Sequence, residues 1–88
     1  MKIRGEFIIR QILDDTVVLP VGNTAIEFQN MIMLNSVSYV IWKCLEKDSS
    51  FQDILNAVTE NFEVSAEDAT EDIKEFLNGL RKYNLLEE

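Results

Sequence analysis

Strand-like and helix-like patterns occupy separate parts of this 88-residue chain, and this segregation limits the folds it can adopt. Up to about residue 34, apolar and β-branched residues form short runs or alternate with polar ones, as is typical of strands. Beyond that point, apolar residues recur at the 3.6-residue period of amphipathic helices. We therefore predict a single α+β domain over residues 1–88, with a small three-stranded antiparallel sheet followed by three helices.

Three segments of the first part match the strand pattern: residues 7–13, 16–19 and 25–34. Asp14-Asp15 is a turn signal between the first two segments. Three strands cannot close into a barrel, so the predicted sheet must have open edges.

The third predicted strand carries apolar residues on both faces. Regular alternation places Ile26, Phe28, Ile32 and Leu34 on one face, and Glu27, Gln29, Met31 and Met33 on the other. A bulge or break near Asn30 would re-aim the two methionines. Methionine is common both on surfaces that accept varied partners and as a gap-filling core residue. The periodicity favours neither role for Met31 and Met33.

The three predicted helices have recognisable N-terminal signals. Asn35 or Ser36 caps the first helix, which extends to about residue 47. Ser50 and Asp53 resemble a capping box at the start of the second helix. Ser65 begins the third helix, whose first turns are rich in acidic residues that the helix dipole favours. The apolar stripes of the first two helices are Val37, Val40, Ile41, Cys44 and Leu45, and Phe51, Ile54, Leu55, Val58 and Phe62.

The third helix has an apolar stripe broad enough to serve two purposes. The stripe consists of Ala69, Ile73, Phe76, Leu77 and Leu80, and Tyr83 extends it. Core packing is the commoner explanation for such a stripe. The functional alternative is that part of it lines a cleft beside the third strand. Leu85 and Leu86, which follow the helix, are expected to fold back onto the core.

Acidic residues are concentrated in the helical part of the chain. Residues 1–44 are neutral overall, whereas residues 45–88 carry the whole net charge of −8. This charge disfavours binding to nucleic acids and to anionic membranes, since both are rich in phosphate. It is typical of a solvated helical face, and it also suits the steering of a basic peptide or protein partner.

The chain lacks the side chains that most catalytic and metal sites require. It contains no histidine, and its one cysteine, Cys44, lies on the apolar stripe of the first predicted helix. Its three glycines are too far apart to form a phosphate-binding loop. We therefore expect no enzyme activity, no cofactor and no metal. No apolar run approaches the length of a membrane span and no signal peptide is recognisable, so the expected location is cytoplasmic.

Several segments together resemble the PqqD-like family. The strand-to-helix signature is carried by Leu34-Asn35, Ser38 and Ile41-Trp42. The other segments are residues 17–22, the second-helix start at residues 49–54, the link at residues 62–65, and the closing pattern of Asp72-Ile73, Phe76-Leu77, Leu80 and Leu85-Leu86. Each motif is weak alone, but their order and spacing cover nearly the whole chain.

The resemblance implies a winged-helix-like fold and a role as a RiPP recognition element, which binds the leader segment of a ribosomally synthesised precursor peptide. Such elements present the leader to a modifying enzyme, commonly a radical SAM enzyme. The leader is held as an added strand beside the third strand, in the cleft against the third helix. Carried over by position, the peptide-binding residues are Phe28, Met31, Ile32, Met33, Leu34, Ile73, Phe76, Leu77 and Leu80.

Two other classes of function compete with this prediction. A winged-helix DNA-binding regulator would need a basic recognition helix, but Lys74 is the only base among five acids between Glu67 and Glu75. A structural or dimerisation module would use the open sheet edge to pair with a second copy. A monomer or a weak homodimer is expected.

Overall fold

The computed structural model describes residues 1–88 and contains the predicted three-stranded sheet, with a second, smaller sheet and one extra helical turn. The elements in chain order are β1 (Lys2–Ile3), β2 (Phe7–Ile12), β3 (Asp15–Pro20), α1 (Thr24–Glu27), β4 (Ile32–Leu34), α2 (Ser36–Leu45), α3 (Phe51–Asn61), α4 (Ala66–Lys82) and β5 (Leu86–Glu87). The α+β class is therefore confirmed, as is the order of a sheet followed by three main helices.

The main sheet is antiparallel, in the order β2-β3-β4. A two-residue turn, Leu13-Asp14, joins β2 to β3, and Ile12 lies opposite Asp15 where the turn closes. The β3–β4 register places Val17 opposite Met33 and its neighbours opposite Leu34 and Ile32. Both β2 and β4 are consequently edge strands.

The predicted helix starts are confirmed by their caps. The Asn35 side chain accepts from the Ser38 backbone N–H at 2.8 Å, and the Ser38 hydroxyl accepts from the Asn35 N–H at 2.8 Å. Ser50 and Asp53 form the equivalent reciprocal pair at the start of α3. The Ser65 side chain caps α4. Each cap satisfies backbone donors that the first helical turn leaves unpaired.

The core lies between the sheet and the three long helices. Its largest fully buried side chains are Trp42, Ile41, Leu45, Ile54, Ile73 and Leu77. Val18 and Leu34 are the buried contributions of the main sheet to this cluster. The helical stripes predicted from the 3.6-residue period are thus the surfaces that pack together.

One sequence expectation is wrong in the segment between β3 and β4. Residues 25–34 do not form one strand, because Thr24–Glu27 is a helical turn and β4 begins only at Ile32. The turn is closed by local backbone bonds, including Phe28 N–H to the Thr24 carbonyl at 2.8 Å. Since a helical turn breaks the two-residue alternation, Ile26 is 73% exposed instead of facing the core.

The two ends of the chain pair with each other in a second sheet. Leu85 and Leu86 are buried, which confirms that this pair folds back onto the core. Leu86 pairs with Ile3, and β5 forms a two-stranded antiparallel sheet with β1. The strand β1 was not predicted, since a two-residue strand leaves no alternation to detect.

Candidate functional site: an open strand edge beside α4

The hydrogen-bonding direction of β4 follows from the β2–β3 turn. In a two-residue hairpin, the pair that flanks the turn is hydrogen-bonded, and hydrogen-bonded pairs then alternate along the ladder. Ile12–Asp15 is that pair, so Asp15 and Val17 bond to β2 while Thr16 and Val18 bond to β4. The Met33 N–H and C=O, opposite Val17, therefore point away from the sheet.

The same edge continues towards the N-terminal side of β4 and stops on the C-terminal side. The Met31 backbone N–H and C=O make no hydrogen bond within the protein. At Asn35 the N–H is bonded to the Ser38 hydroxyl and the carbonyl accepts from Tyr39. The capping box thus sets the C-terminal limit of the open edge at Met33.

The β4 side chains separate as the alternation predicts. Leu34 is buried and Ile32 packs partly against the core. Met31 and Met33 are 53% and 60% exposed, so neither is a gap-filling core residue. The choice between surface and core that the sequence left open is resolved in favour of the surface.

A groove of about 960 Å³ runs between β4 and α4. Its α4 wall is formed by Asp72, Glu75, Phe76, Gly79, Leu80 and Tyr83. The β4 side is formed by residues 30–33 together with Phe28, and Val37 and Ile41 of α2 also contribute. The groove therefore places apolar side chains directly beside the unpaired β4 edge.

Aromatic rings fix one end of this groove. The Phe28 and Tyr83 rings meet edge to face with centroids 5.6 Å apart. Phe28 also contacts Phe7, which packs edge to face on Trp42 at 5.2 Å. Because Trp42 is buried, this chain of rings ties the end of the groove to the core.

The nine residues predicted from the resemblance fall into two groups. The groove is lined by Phe28, Met31, Ile32, Met33, Phe76 and Leu80, whereas Leu34, Ile73 and Leu77 do not line it. Ile73 and Leu77 are at most 1% exposed, so their expected position in the groove wall is wrong. They lie on the face of α4 that packs into the core, and a different face of the same helix lines the groove. Leu34 likewise directs its side chain into the core and belongs to the site through its strand alone.

Sequence reasoning missed other residues that line the groove. Asp72, Glu75 and Gly79 were not predicted as site residues, although they belong to one helical face with Phe76 and Tyr83. The 3–4 spacing of this set was detectable, but the acidic residues of this helix were interpreted through the helix dipole and the overall charge, not as part of a groove.

A second hollow of about 1040 Å³ lies between the β2–β3 hairpin and the start of α2. Its lining includes Asp14, Asp15, Thr16 and Asn35, and it shares Met33 with the groove. Here Asp15 is paired with Ile12 across the turn, and Asn35 is engaged in its cap. The hollow therefore offers no continuation of the open edge.

The groove contains no recognisable catalytic or metal-binding arrangement. No group of three Cys, Asp or Glu side chains is placed to hold a metal ion. Cys44 lies outside the groove, packed partly against the core, and burial raises the pKa of its thiol. Raising this pKa keeps the sulfur protonated at neutral pH, the opposite of what an activated nucleophile needs.

The exposed face of α4 is unsuited to nucleic acid. Glu67, Asp68, Glu71, Asp72 and Glu75 are all exposed on this helix. A recognition helix that approaches phosphates requires basic side chains instead. The arrangement does not support the DNA-binding alternative.

The architecture is that of a winged-helix-like α+β domain with an accessible strand edge beside its last helix. The chain belongs to the PqqD family, described as coenzyme PQQ synthesis protein D, whose family model matches residues 15–86. The matched region includes β3, β4 and all three long helices, and therefore every residue that lines the groove.

The structure also resembles a solved complex described as TbiB1 in complex with the TbiA(beta) leader peptide. The two chains are 26% identical, the alignment covers 99% of this chain and 95% of the other, and the TM-score is 0.74. Among curated protein sequences the chain has no significant match. None of its helices has the length and apolar character needed to cross a bilayer.

Proposed function

We propose that this domain is a peptide-binding module that captures the leader segment of a ribosomally synthesised precursor as an additional strand on β4. The unpaired backbone of Met31 and Met33 supplies the ladder, and the groove against α4 supplies the side-chain pockets. In this mode of recognition, backbone hydrogen bonds contribute affinity and alternate side chains contribute specificity.

The observation that carries the proposal is the coincidence of an open strand edge with an apolar groove. An exposed edge alone is a liability that proteins usually block. Here the outward-facing Met33 backbone is left open beside Phe76 and Tyr83. The likeness to a chain solved with a leader peptide supports the same use of this surface.

The proposed role is non-catalytic, and it includes presentation of the bound leader to a modifying enzyme such as a radical SAM protein. The absence of histidine and the protonated state of the Cys44 thiol are consistent with a carrier rather than a catalyst. Membership of the PqqD family supports a partnership with a peptide-modifying enzyme.

Backbone amide NMR provides the direct test. The probe is the synthetic leader of a short precursor encoded next to the gene for this protein, titrated into the ¹⁵N-labelled domain. We expect the largest shifts at Met31, Met33, Phe76 and Tyr83, and protection of the Met33 amide from hydrogen exchange in the complex. Shifts confined to the β2 edge or to the hollow beside α2 would contradict the proposal.

The peptide-free protein supplies the necessary control. Sedimentation of the domain alone over a range of concentrations separates peptide capture from pairing of β4 with a second copy. If the Met33 amide is already protected in a concentration-dependent dimer, the dimerisation module becomes the better explanation.

A further inference from the structure

The groove has a charge of one sign. Asp72 and Glu75 line its α4 wall, and no Lys or Arg is among its lining residues. Both carboxylates are exposed, and neither forms an ion pair or a hydrogen bond within the protein. Residues three apart on a helix are neighbours, so the two like charges repel each other until a cation is placed between them.

The carboxylates lie at a defined distance from the aromatic end of the groove. Tyr83, the C-cap of α4, lies eight positions after Glu75, which corresponds to about 12 Å along the helix axis, and it lies about 17 Å from Asp72. A strand that runs along α4 advances roughly 3.3 Å per residue. The residue of the bound strand that is level with the midpoint between the two carboxylates is therefore about four positions from the residue at Tyr83. Four is an even number, and alternate residues of a strand face the same side.

From this geometry we infer that the bound segment carries a lysine or arginine about four residues from the residue that packs against Phe28 and Tyr83, with both side chains facing the groove. The inference rests on the proposed strand addition at β4 and specifies its ligand: an extended segment with an apolar anchor at the aromatic end and a base at the other. Two carboxylates alone would not define a site. Here they flank an open edge that already fixes the position of the incoming backbone.

A selection from a display library of random peptides tests the inference without a known leader. Three proteins serve as bait: the wild type, Asp72→Asn/Glu75→Gln, and the control Glu67→Gln/Glu71→Gln. The control removes the same number of charges from α4, but at residues that do not line the groove. Competition with Met33→Pro in solution identifies the peptides that use the β4 edge.

We expect groove-dependent peptides from the wild type and from the control to be enriched in a base at one fixed spacing from an apolar anchor. The Asp72→Asn/Glu75→Gln bait should retain the anchor and lose the base. Exposed ion pairs contribute little, so each neutralised carboxylate should weaken a selected peptide about twofold to fivefold, and high salt should remove this difference.

Two results would overturn the inference, and they are distinguishable. Peptides that depend on the β4 edge but show no basic enrichment would refute the charge rule and leave strand addition intact. Equal loss of the basic residue with the Glu67→Gln/Glu71→Gln bait would show that net charge, not the groove carboxylates, selects it. If the selected peptides bind Met33→Pro as well as the wild type, the proposed function itself fails.

Discussion

The two outer edges of the main sheet differ in what covers their unpaired backbone. On β2 the outward groups belong to alternate residues that include Ile9 and Gln11, and the Arg10 guanidinium bonds the Ile9 carbonyl at 3.2 Å. A charged side chain folded over an edge is one way in which proteins discourage unwanted strand pairing. On β4 the outward Met33 groups have no such cover, and a groove lies beside them. The contrast shows that an edge becomes a candidate binding site through its surroundings, not through its hydrogen-bonding groups alone.

The largest expected difference between the two edges comes from a proline substitution on each of them. Met33→Pro removes the outward N–H without removing a β3–β4 hydrogen bond, and proline is tolerated on edge strands. We expect peptide affinity to fall about 10-fold to 100-fold, because the peptide carbonyl loses its donor at a cost of about 1–3 kcal/mol. Titration calorimetry measures the loss.

Gln11→Pro is the matched control on the opposite edge, where the N–H also points outward. Its peptide affinity should remain at the wild-type value. A comparable loss from both variants would mean that the two edges are equivalent or that proline disturbs the whole sheet. Thermal unfolding of both variants distinguishes these causes.

The groove-facing and core-facing sides of α4 should respond differently to truncation. Phe76→Ala removes a half-buried ring from the groove wall, and we expect about a fivefold to tenfold loss of peptide affinity, since burying a large apolar side chain is worth about 1.5–3 kcal/mol when complete. Ile73→Val should instead lower the free energy of unfolding by about 0.5–1.5 kcal/mol and leave affinity unchanged. Urea unfolding together with calorimetry measures both quantities. An affinity loss for Ile73→Val would show that Ile73 contributes to peptide binding.

The hairpin that joins β2 to β3 offers a smaller test on the side away from the groove. Leu13 is 93% exposed and has φ of 57°, a left-handed conformation in which a non-glycine residue is strained. Leu13→Gly should stabilise the domain by up to about 1 kcal/mol without altering peptide binding. A destabilised variant would show that the exposed leucine has a packing role, and reduced binding would place the turn in the interface.

The smallest expected effect concerns acid stability and should be independent of the sheet edges. Bonds from the Ser50 backbone N–H hold the pKa of Asp53 below its usual value. A folded-state pKa lower than the unfolded one gives stability that is present at neutral pH and is lost as the pH falls from about 4 through the lowered value. Asp53→Asn should therefore show a smaller drop in melting temperature between neutral and acidic pH. An unchanged drop would assign the acid sensitivity to other carboxylates.

The predictability of this fold depends on the length over which a pattern is repeated. The helices begin where Asn35, Ser50 and Ser65 indicated, because capping is a local interaction within four residues. The segment that begins at Thr24 was misassigned, since one helical turn is too short to establish a period. The short strand β1 depends entirely on its pairing with β5, which is remote in sequence.

The candidate site, like the fold, was predictable where the signal is local and not where it depends on tertiary packing. The family resemblance and the alternation at Met31 and Met33 indicated the strand that borders the groove. They could not separate the two sides of α4, because Ile73 and Phe76 are both apolar and only three residues apart. Which of them contacts the core depends on the rotation of α4 against α2 and α3, and that rotation is a tertiary property.

The capping box at Asn35 has a kinetic consequence for any segment held on β4. Because the cap ends the free ladder so early, the backbone groups of Met31 and Met33 offer at most four new bonds, each worth about 0.5–1.5 kcal/mol net. That sum is below the roughly 8 kcal/mol of a micromolar complex, so the remainder must come from side chains in the groove. A complex held in this way dissociates quickly unless the side chains of the bound segment match the groove.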